Sequence, residues 1–218
     1  MNMNNKKRNF FISTILFFLA VVFTIFVKVV DVKPIGVNES SIGIASVNQV
    51  VFKTIGVNMI WYHITDWLGL VPIFMAMAYA LLGLVQLIKR KSLFKVDKEI
   101  IILGLFYIVV ISLYIFFEKF IVNYRPILMN GFLEASYPSS HTLMTICLCG
   151  SSIIVNKKLF NSRITKFMNV LLELIIAITV IGRILSGVHW FTDIIGGILI
   201  GSALLTTLYS VLDVLKKS

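Results

Sequence analysis

The sequence predicts an all-α integral membrane protein: a bundle of six spanning helices forming one domain over residues 1–218, with both termini cytoplasmic. Three observations carry that expectation. The chain is 58% hydrophobic and only 14% charged, with a mean hydropathy of +0.95, well away from the balance of a soluble domain. Its 218 residues divide into six apolar runs, most of them near the roughly 20 residues a helix needs to cross a bilayer. The Lys and Arg residues gather in short clusters between those runs.

The first run, about 10–30, follows Lys6, Lys7 and Arg8. A signal peptide is the competing reading, but the run exceeds the usual apolar core of about 7–15 residues and no small-residue cleavage site follows it. Residues 31–60 are mixed, with Pro34, Gly36 and several Ser and Asn. Within them Val47, Val50, Val51 and Ile55 recur at helical spacing, which predicts an extracytoplasmic segment lying on the membrane surface. Trp61, Tyr62 and Trp67 mark an interface before the second span, 68–88. His63 and Asp66, three apart there, read as an anchoring polar turn whose two side chains touch. Spans three to six are expected at 99–117, 141–155, 167–185 and 190–212.

Charge orients the bundle. The N-terminus, the loops at 89–98 and 156–166 and the C-terminal Lys216 and Lys217 together hold 14 of the 20 Lys and Arg residues, so that side is cytoplasmic by the positive-inside rule. In a soluble protein a net charge of +10 would suggest nucleic acid; here the charge is a topology signal and no nucleic-acid partner is expected. Cys147 and Cys149, two apart in an apolar run, point in different directions around a helix and read as small buried hydrophobes, neither disulfide-bonded nor metal-binding.

With that orientation the end of span three, the start of four, the end of five and the start of six share the outer face. Arg125, His141, Arg183 and His189 therefore converge there. A charged side chain at bilayer depth costs about 2.5–3.5 kcal/mol on insertion scales, so such a group must face protein or a wet cavity. Asp193 follows His189 by four residues, one helical turn, and is placed to hold the imidazole. Pro138 suits a first helical position, so the amides around Ser139, Ser140 and His141 are expected at the positive end of a helix dipole, a place for an anion. Arg125 and Arg183 add permanent charge with forked donors that match phosphate oxygens. One imidazole oriented by a carboxylate can act as nucleophile and a second can give a proton to the leaving oxygen.

These residues resemble the motifs of the type 2 phosphatidic acid phosphatase family, the PAP2 lipid phosphatases related in fold to vanadium haloperoxidases. The family patterns are K-x6-R-P, P-S-G-H and S-R-x5-H-x3-D. Here the third reads G-R-ILSGV-H-WFT-D, with Gly182 for Ser, and the second P-S-S-H, with Ser140 for Gly. In the first, Arg125-Pro126 fits, but Glu118 stands where the family has lysine, and Lys119 is one residue, about 100° of helix, out of place. The resemblance implies a six-helix membrane phosphatase in which His189 attacks phosphorus, Asp193 fixes its tautomer and His141 protonates the leaving group. Arg125, Arg183, Ser139, Ser140 and Lys119 would bind the phosphate, and neither metal nor cofactor is required. A lipid mono- or diphosphate at the outer leaflet is the expected substrate, undecaprenyl diphosphate first, then phosphatidic acid or phosphatidylglycerol phosphate. The sequence sets no oligomeric state. Two other classes remain: a membrane transporter for anions or protons, and a weakened lipid-binding scaffold suggested by the misplaced lysine. Against transport, few polar residues line a path below the outer cluster: Glu173 in span five and hydroxyls at Ser202, Thr206 and Thr207 in span six. Gly196, Gly197 and Gly201 read as a face for close helix packing.

Overall fold

A computed structural model describes residues 3–160 and 162–215, so the basic pair Lys216 and Lys217 lies outside the described residues. Within them the fold is built from eight α-helices: α1 (Met3–Val29), α2 (Ala45–Ile55), α3 (Met59–Leu68), α4 (Leu70–Arg90), α5 (Lys98–Lys119), α6 (Ser140–Leu159), α7 (Arg163–Ser186) and α8 (Phe191–Leu215). Among the described residues there are no strands, only isolated antiparallel bridges in the loops, such as Lys33 with Ile42 and Tyr124 with Ala135.

Five stretches of the described residues are long and apolar enough to cross a membrane: Lys6–Val29, Met59–Arg90, Lys98–Lys119, Arg163–Ser186 and Phe191–Leu215. That departs from the expected six. The difference is α6, which is 20 residues long with 13 of them buried. It packs against α4, α5, α7 and α8, so its surface meets protein instead of lipid and tolerates Ser, Thr, Cys and Gly. Polar side chains tie it to its neighbours. Asn156 accepts a hydrogen bond from the Tyr79 hydroxyl at 2.7 Å and donates to Asn169 Oδ1 at 2.9 Å. Cys147 and Cys149 are buried on this helix as free thiols.

The second span differs too. Helix formation begins at Met59, not near residue 68, because Asn58 caps α3 with its side chain, accepting from the amides of Ile60 at 3.0 Å and Trp61 at 3.3 Å. Only the Leu68–Gly69–Leu70 corner separates α3 from α4.

α1 lies along α8, and α8 turns its glycines to the interior. A Cβ at Gly201 would come within 2.8 Å of Ile146 Cγ2 on α6; the missing side chain lets the two backbones approach. The ends of the bundle are distinguishable. Lys6 Nζ donates to the carbonyl of Val214 and Lys158 Nζ to that of Leu212, so the start of α1, the end of α6 and the end of α8 sit together. The 120–139 loop, α2, α3 and the α7–α8 turn gather at the other end. α2 is tied to the start of α8 there. Its buried Asn48 donates to Thr192 Oγ1 at 2.9 Å, accepts from the Thr192 amide at 3.1 Å and donates to Gly43 O at 2.9 Å.

Candidate active site

His189 occupies the turn between α7 and α8, two residues before α8 starts, and is 5% exposed. Its Nδ1 lies 3.1 Å from the carbonyl oxygen of Ser136. Because a carbonyl only accepts, the proton sits on Nδ1 and the lone pair on Nε2. Nε2 is 3.3 Å from Arg125 Nη1, itself a donor. Burial first, then the charges of Arg125 and Arg183, hold the imidazole well below its ordinary pKa. The ring is neutral, with its lone pair on Nε2.

Asp193 supports this ring less directly than the i,i+4 spacing suggests. His189 precedes the helix, and its Nδ1 stays 3.9 Å from Asp193 Oδ2, beyond hydrogen-bond reach. The Ser136 hydroxyl stands between them, 3.0 Å from Nδ1 and donating to Oδ2 at 2.5 Å. Asp193 also caps its own helix: Oδ2 accepts from the Trp190 amide at 2.8 Å, as in a capping box. Asn123 Nδ2 reaches Oδ1 at 3.3 Å. Ser136 and Asn123 come from the 120–139 loop and are not among the residues that the sequence singles out; serine and asparagine in a loop carry no signal by themselves.

Arg125 is held by that loop. Its Nη1 donates to Val188 O at 3.4 Å, and its Nε pairs with Glu134 Oε2 at 3.1 Å. Arg183, in the last turn of α7, is wholly buried, and none of its three guanidinium nitrogens makes a hydrogen bond among the described residues. Its surroundings are the Tyr62 ring, 5.1 Å from the guanidinium carbon to the ring centre, and Asp66 Oδ1, 3.5 Å from Nη2. His141, in the first turn of α6, places Nε2 3.1 Å from the same Asp66 oxygen. Asp66 therefore pairs with His141 and Arg183 and not with His63; its side chain stays half exposed, and His63 lies exposed beside the Tyr62 ring.

α6 starts at Ser140, not at Pro138, with Ser139 in non-helical conformation as its cap. The Ser139 amide is spent on the carbonyl of Asp193 at 2.9 Å, which locks the start of α6 to the start of α8. Ser139 is fully buried, and its Oγ accepts from Thr142. The amides of Ser140 and His141 donate to no acceptor among the described residues, as the first amides of a helix do. A narrow, water-sized cleft runs along His189, Ser136, Ser140, Tyr114 and Glu118. Beside it an apolar cleft of about 180 Å³, lined by Pro72, Ile73, Met144 and Leu148, shares Tyr114 and Ser140 and touches His141. Among the described residues no three His, Cys, Asp or Glu side chains converge as metal ligands would.

Two histidines, two arginines and a helix N-terminus thus meet at one end of the bundle. Residues 116–217 match the family model of the PAP2 superfamily. That stretch, just under half of the chain, is what resembles the PAP2 superfamily in sequence. Its fold is similar to that of the transmembrane PAP2-type phosphatidylglycerolphosphate phosphatase from Bacillus subtilis, with a TM-score of 0.62 and 20% identity, covering 92% of this chain and 95% of that one. No curated protein sequence matches it. Within the PAP2 pattern, the displaced first motif takes a definite form. Glu118 lines the cleft with His189, whereas Lys119, the last residue of α5, is exposed and not part of that lining. The Gly182 departure also has a structural counterpart: a Cβ there would collide with the methyl of Thr65 on α3. The five apolar helical stretches and the likeness of the fold to a transmembrane protein support a multi-pass membrane protein.

Proposed function

We propose that the protein hydrolyses the terminal phosphate of a lipid phosphate or diphosphate at the outer leaflet, through a phosphohistidine on His189. The observation that carries this reading is Arg183: a fully buried guanidinium with no hydrogen bond to any of its nitrogens among the described residues. An unsatisfied buried charge is strongly unfavourable, and a phosphate supplies the missing acceptors. Nε2 of His189 donates its electron pair to phosphorus as the bond to the leaving oxygen breaks, and His141 gives that oxygen a proton. Water then cleaves the N–P bond and releases inorganic phosphate. Arg125, Arg183, Ser139 and the amides of Ser140 and His141 stabilise the charge on the equatorial oxygens. Lys119 has no part in this scheme.

The apolar cleft next to His141 suits an acyl or prenyl chain, which is why a lipid is favoured over a soluble phosphate. Undecaprenyl diphosphate stands first because it is recycled on the outer face of bacterial membranes. Glu118, a carboxylate in the cleft, disfavours the extra charge of a diphosphate, and so phosphatidic acid and phosphatidylglycerol phosphate are the natural competitors. In this reading α6 is a sixth crossing enclosed by the others, and the basic ends of the helices are cytoplasmic.

The test is phosphate release by purified protein in detergent with EDTA, on all three lipids, for wild type and His189→Ala. The reading requires turnover of at least one lipid by wild type and an acid-labile phosphoenzyme that the variant does not form. A cysteine placed at Asn130 should be labelled from outside the cell; labelling only from the cytoplasm would reverse the topology.

A further inference from the structure

Resting on the phosphohistidine reading above, we propose that Asp66 is a positioning residue that favours the protonated form of His141, so that this imidazole can protonate the leaving oxygen. Every other charge facing His141 opposes that state. Arg183 approaches from α7 and Arg125 from the loop beyond it, while His189 faces it as a neutral ring and Tyr114 of α5 shares its cleft. A half-buried ring between two guanidinium groups gives up its second proton readily. Asp66 is the acid that touches it, with Oδ1 3.1 Å from Nε2, close enough for a charge-assisted hydrogen bond. The other ring nitrogen, Nδ1, is buried and has no partner among the described residues.

The surrounding structure is arranged to hold that carboxylate. α3 is docked on α7 at its start, where the Asn58 amide donates to Ser186 O at 3.0 Å. In its middle, Thr65 lies over Gly182. At its end Gly69 brings the corner against the imidazole, since a Cβ there would stand 3.0 Å from His141 Cδ2. The same Asp66 oxygen is 3.5 Å from Arg183 Nη2, so one carboxylate fixes the proton donor relative to the phosphate-binding guanidinium. In the reaction, the electron pair of the breaking P–O bond goes to the leaving oxygen. The His141 imidazolium gives that oxygen one of its two N–H protons and ends neutral, and Asp66 remains a carboxylate throughout.

The experiment is steady-state hydrolysis of phosphatidic acid and of p-nitrophenyl phosphate across pH by wild type, Asp66→Asn, Asp66→Glu and His141→Ala in detergent. An alkoxide needs a proton to leave and nitrophenolate does not. The expected result for Asp66→Asn is a fall in kcat of roughly 10–100-fold on phosphatidic acid, a fraction of what general acid catalysis supplies. KM should change little, the alkaline limb of the profile should move to lower pH, and p-nitrophenyl phosphate should lose much less. Asp66→Glu should restore the limb, and Asp66→Asn should add little to His141→Ala. A lower KM at unchanged kcat would overturn the proposal, making Asp66 a competitor for the anion site. Equal losses on both substrates with an unmoved pH limb would overturn it in favour of a purely structural role. If wild type releases no phosphate from any lipid, the phosphatase reading itself fails, a result distinct from either.

Discussion

The two histidines of the site sit in opposite kinds of surroundings. Around His189 almost every polar valence is filled: Ser136, Asn123 and the Trp190 amide occupy Asp193, and Nδ1 faces the Ser136 carbonyl. Around His141 valences are open. Arg183 makes no hydrogen bond, His141 Nδ1 has none, and the first amides of α6 are uncommitted, all among the described residues. A nucleophile has to be in one tautomer before substrate arrives, so its half is complete in advance. Groups that must grip a phosphate cannot already be satisfied by protein, and that half carries stored instability.

The sharpest way to break this comparison is to remove one charge from each half. Arg183→Met should cut turnover by about 10³-fold, the scale of losing a principal donor to developing negative charge. It should leave thermal stability in detergent unchanged or higher, because apolar volume replaces a buried guanidinium that makes no hydrogen bond and pairs only with the half-exposed Asp66. Asp193→Ala should lower both, since it strands the Trp190 amide, the Ser136 hydroxyl and Asn123, at about 1–3 kcal/mol for each buried donor. Kinetics and thermal unfolding of the two variants check the contrast; a destabilised Arg183→Met would mean that this half is as complete as the other.

A smaller loss is expected at Ser136→Ala, roughly 10–100-fold in kcat, corresponding to about 1.5–3 kcal/mol for a hydrogen bond to a charged group. The Ser136 carbonyl still fixes Nδ1, so the loss stays below that of Arg183→Met. The pH profile separates orientation from charge. His189 must be neutral to attack, and its lowered pKa places the acid limb of kcat/KM below the ordinary histidine range near 6.5. Arg125→Gln removes one of the charges that lowers it, so the limb should move to higher pH. Ser136→Ala should move it less.

Much of the fold and of the site is legible in the amino-acid sequence, and the exceptions have physical causes. The spacing Arg183–His189–Asp193 and the pair Arg125-Pro126 point to residues that do meet, because motif residues sit at element ends whose positions hydropathy fixes. Hydropathy locates α1, α4, α5, α7 and α8 because their outer surfaces are apolar. It misses how far the second helical stretch extends, because an Asn58 cap is a matter of local hydrogen bonding and α3 runs on into α4. α6 is long enough to cross but less apolar than the other spans, since burial by neighbours relieves it of facing lipid. Asp66 reads as a partner of His63 because i,i+3 proximity is the only contact visible along the chain; its partners lie 75 and 117 positions away. Ser136 and Asn123 have no signal at all, being common loop residues whose role comes from the fold of the 120–139 loop.

The mildest test addresses Gly182, where the family pattern has serine. Nothing at Gly182 touches the proposed chemistry, but a Cβ there would meet the Thr65 methyl, with Trp61 carbons next at 3.1 Å and beyond. Gly182→Ser should therefore push α3 outward and draw Asp66 away from His141, lowering kcat on a lipid phosphate several-fold with little change on p-nitrophenyl phosphate. Overpacking costs typically 1–3 kcal/mol and relaxes when the obstructing atoms are removed. Thr65→Ser deletes only the methyl and keeps the hydroxyl that donates to the Trp61 and Tyr62 carbonyls. The double variant should regain most of the lost rate, because α3 can settle back against α7. If Gly182→Ser alone is silent, α3 yields without moving Asp66, and the open half of the site is less dependent on that helix than its contacts imply.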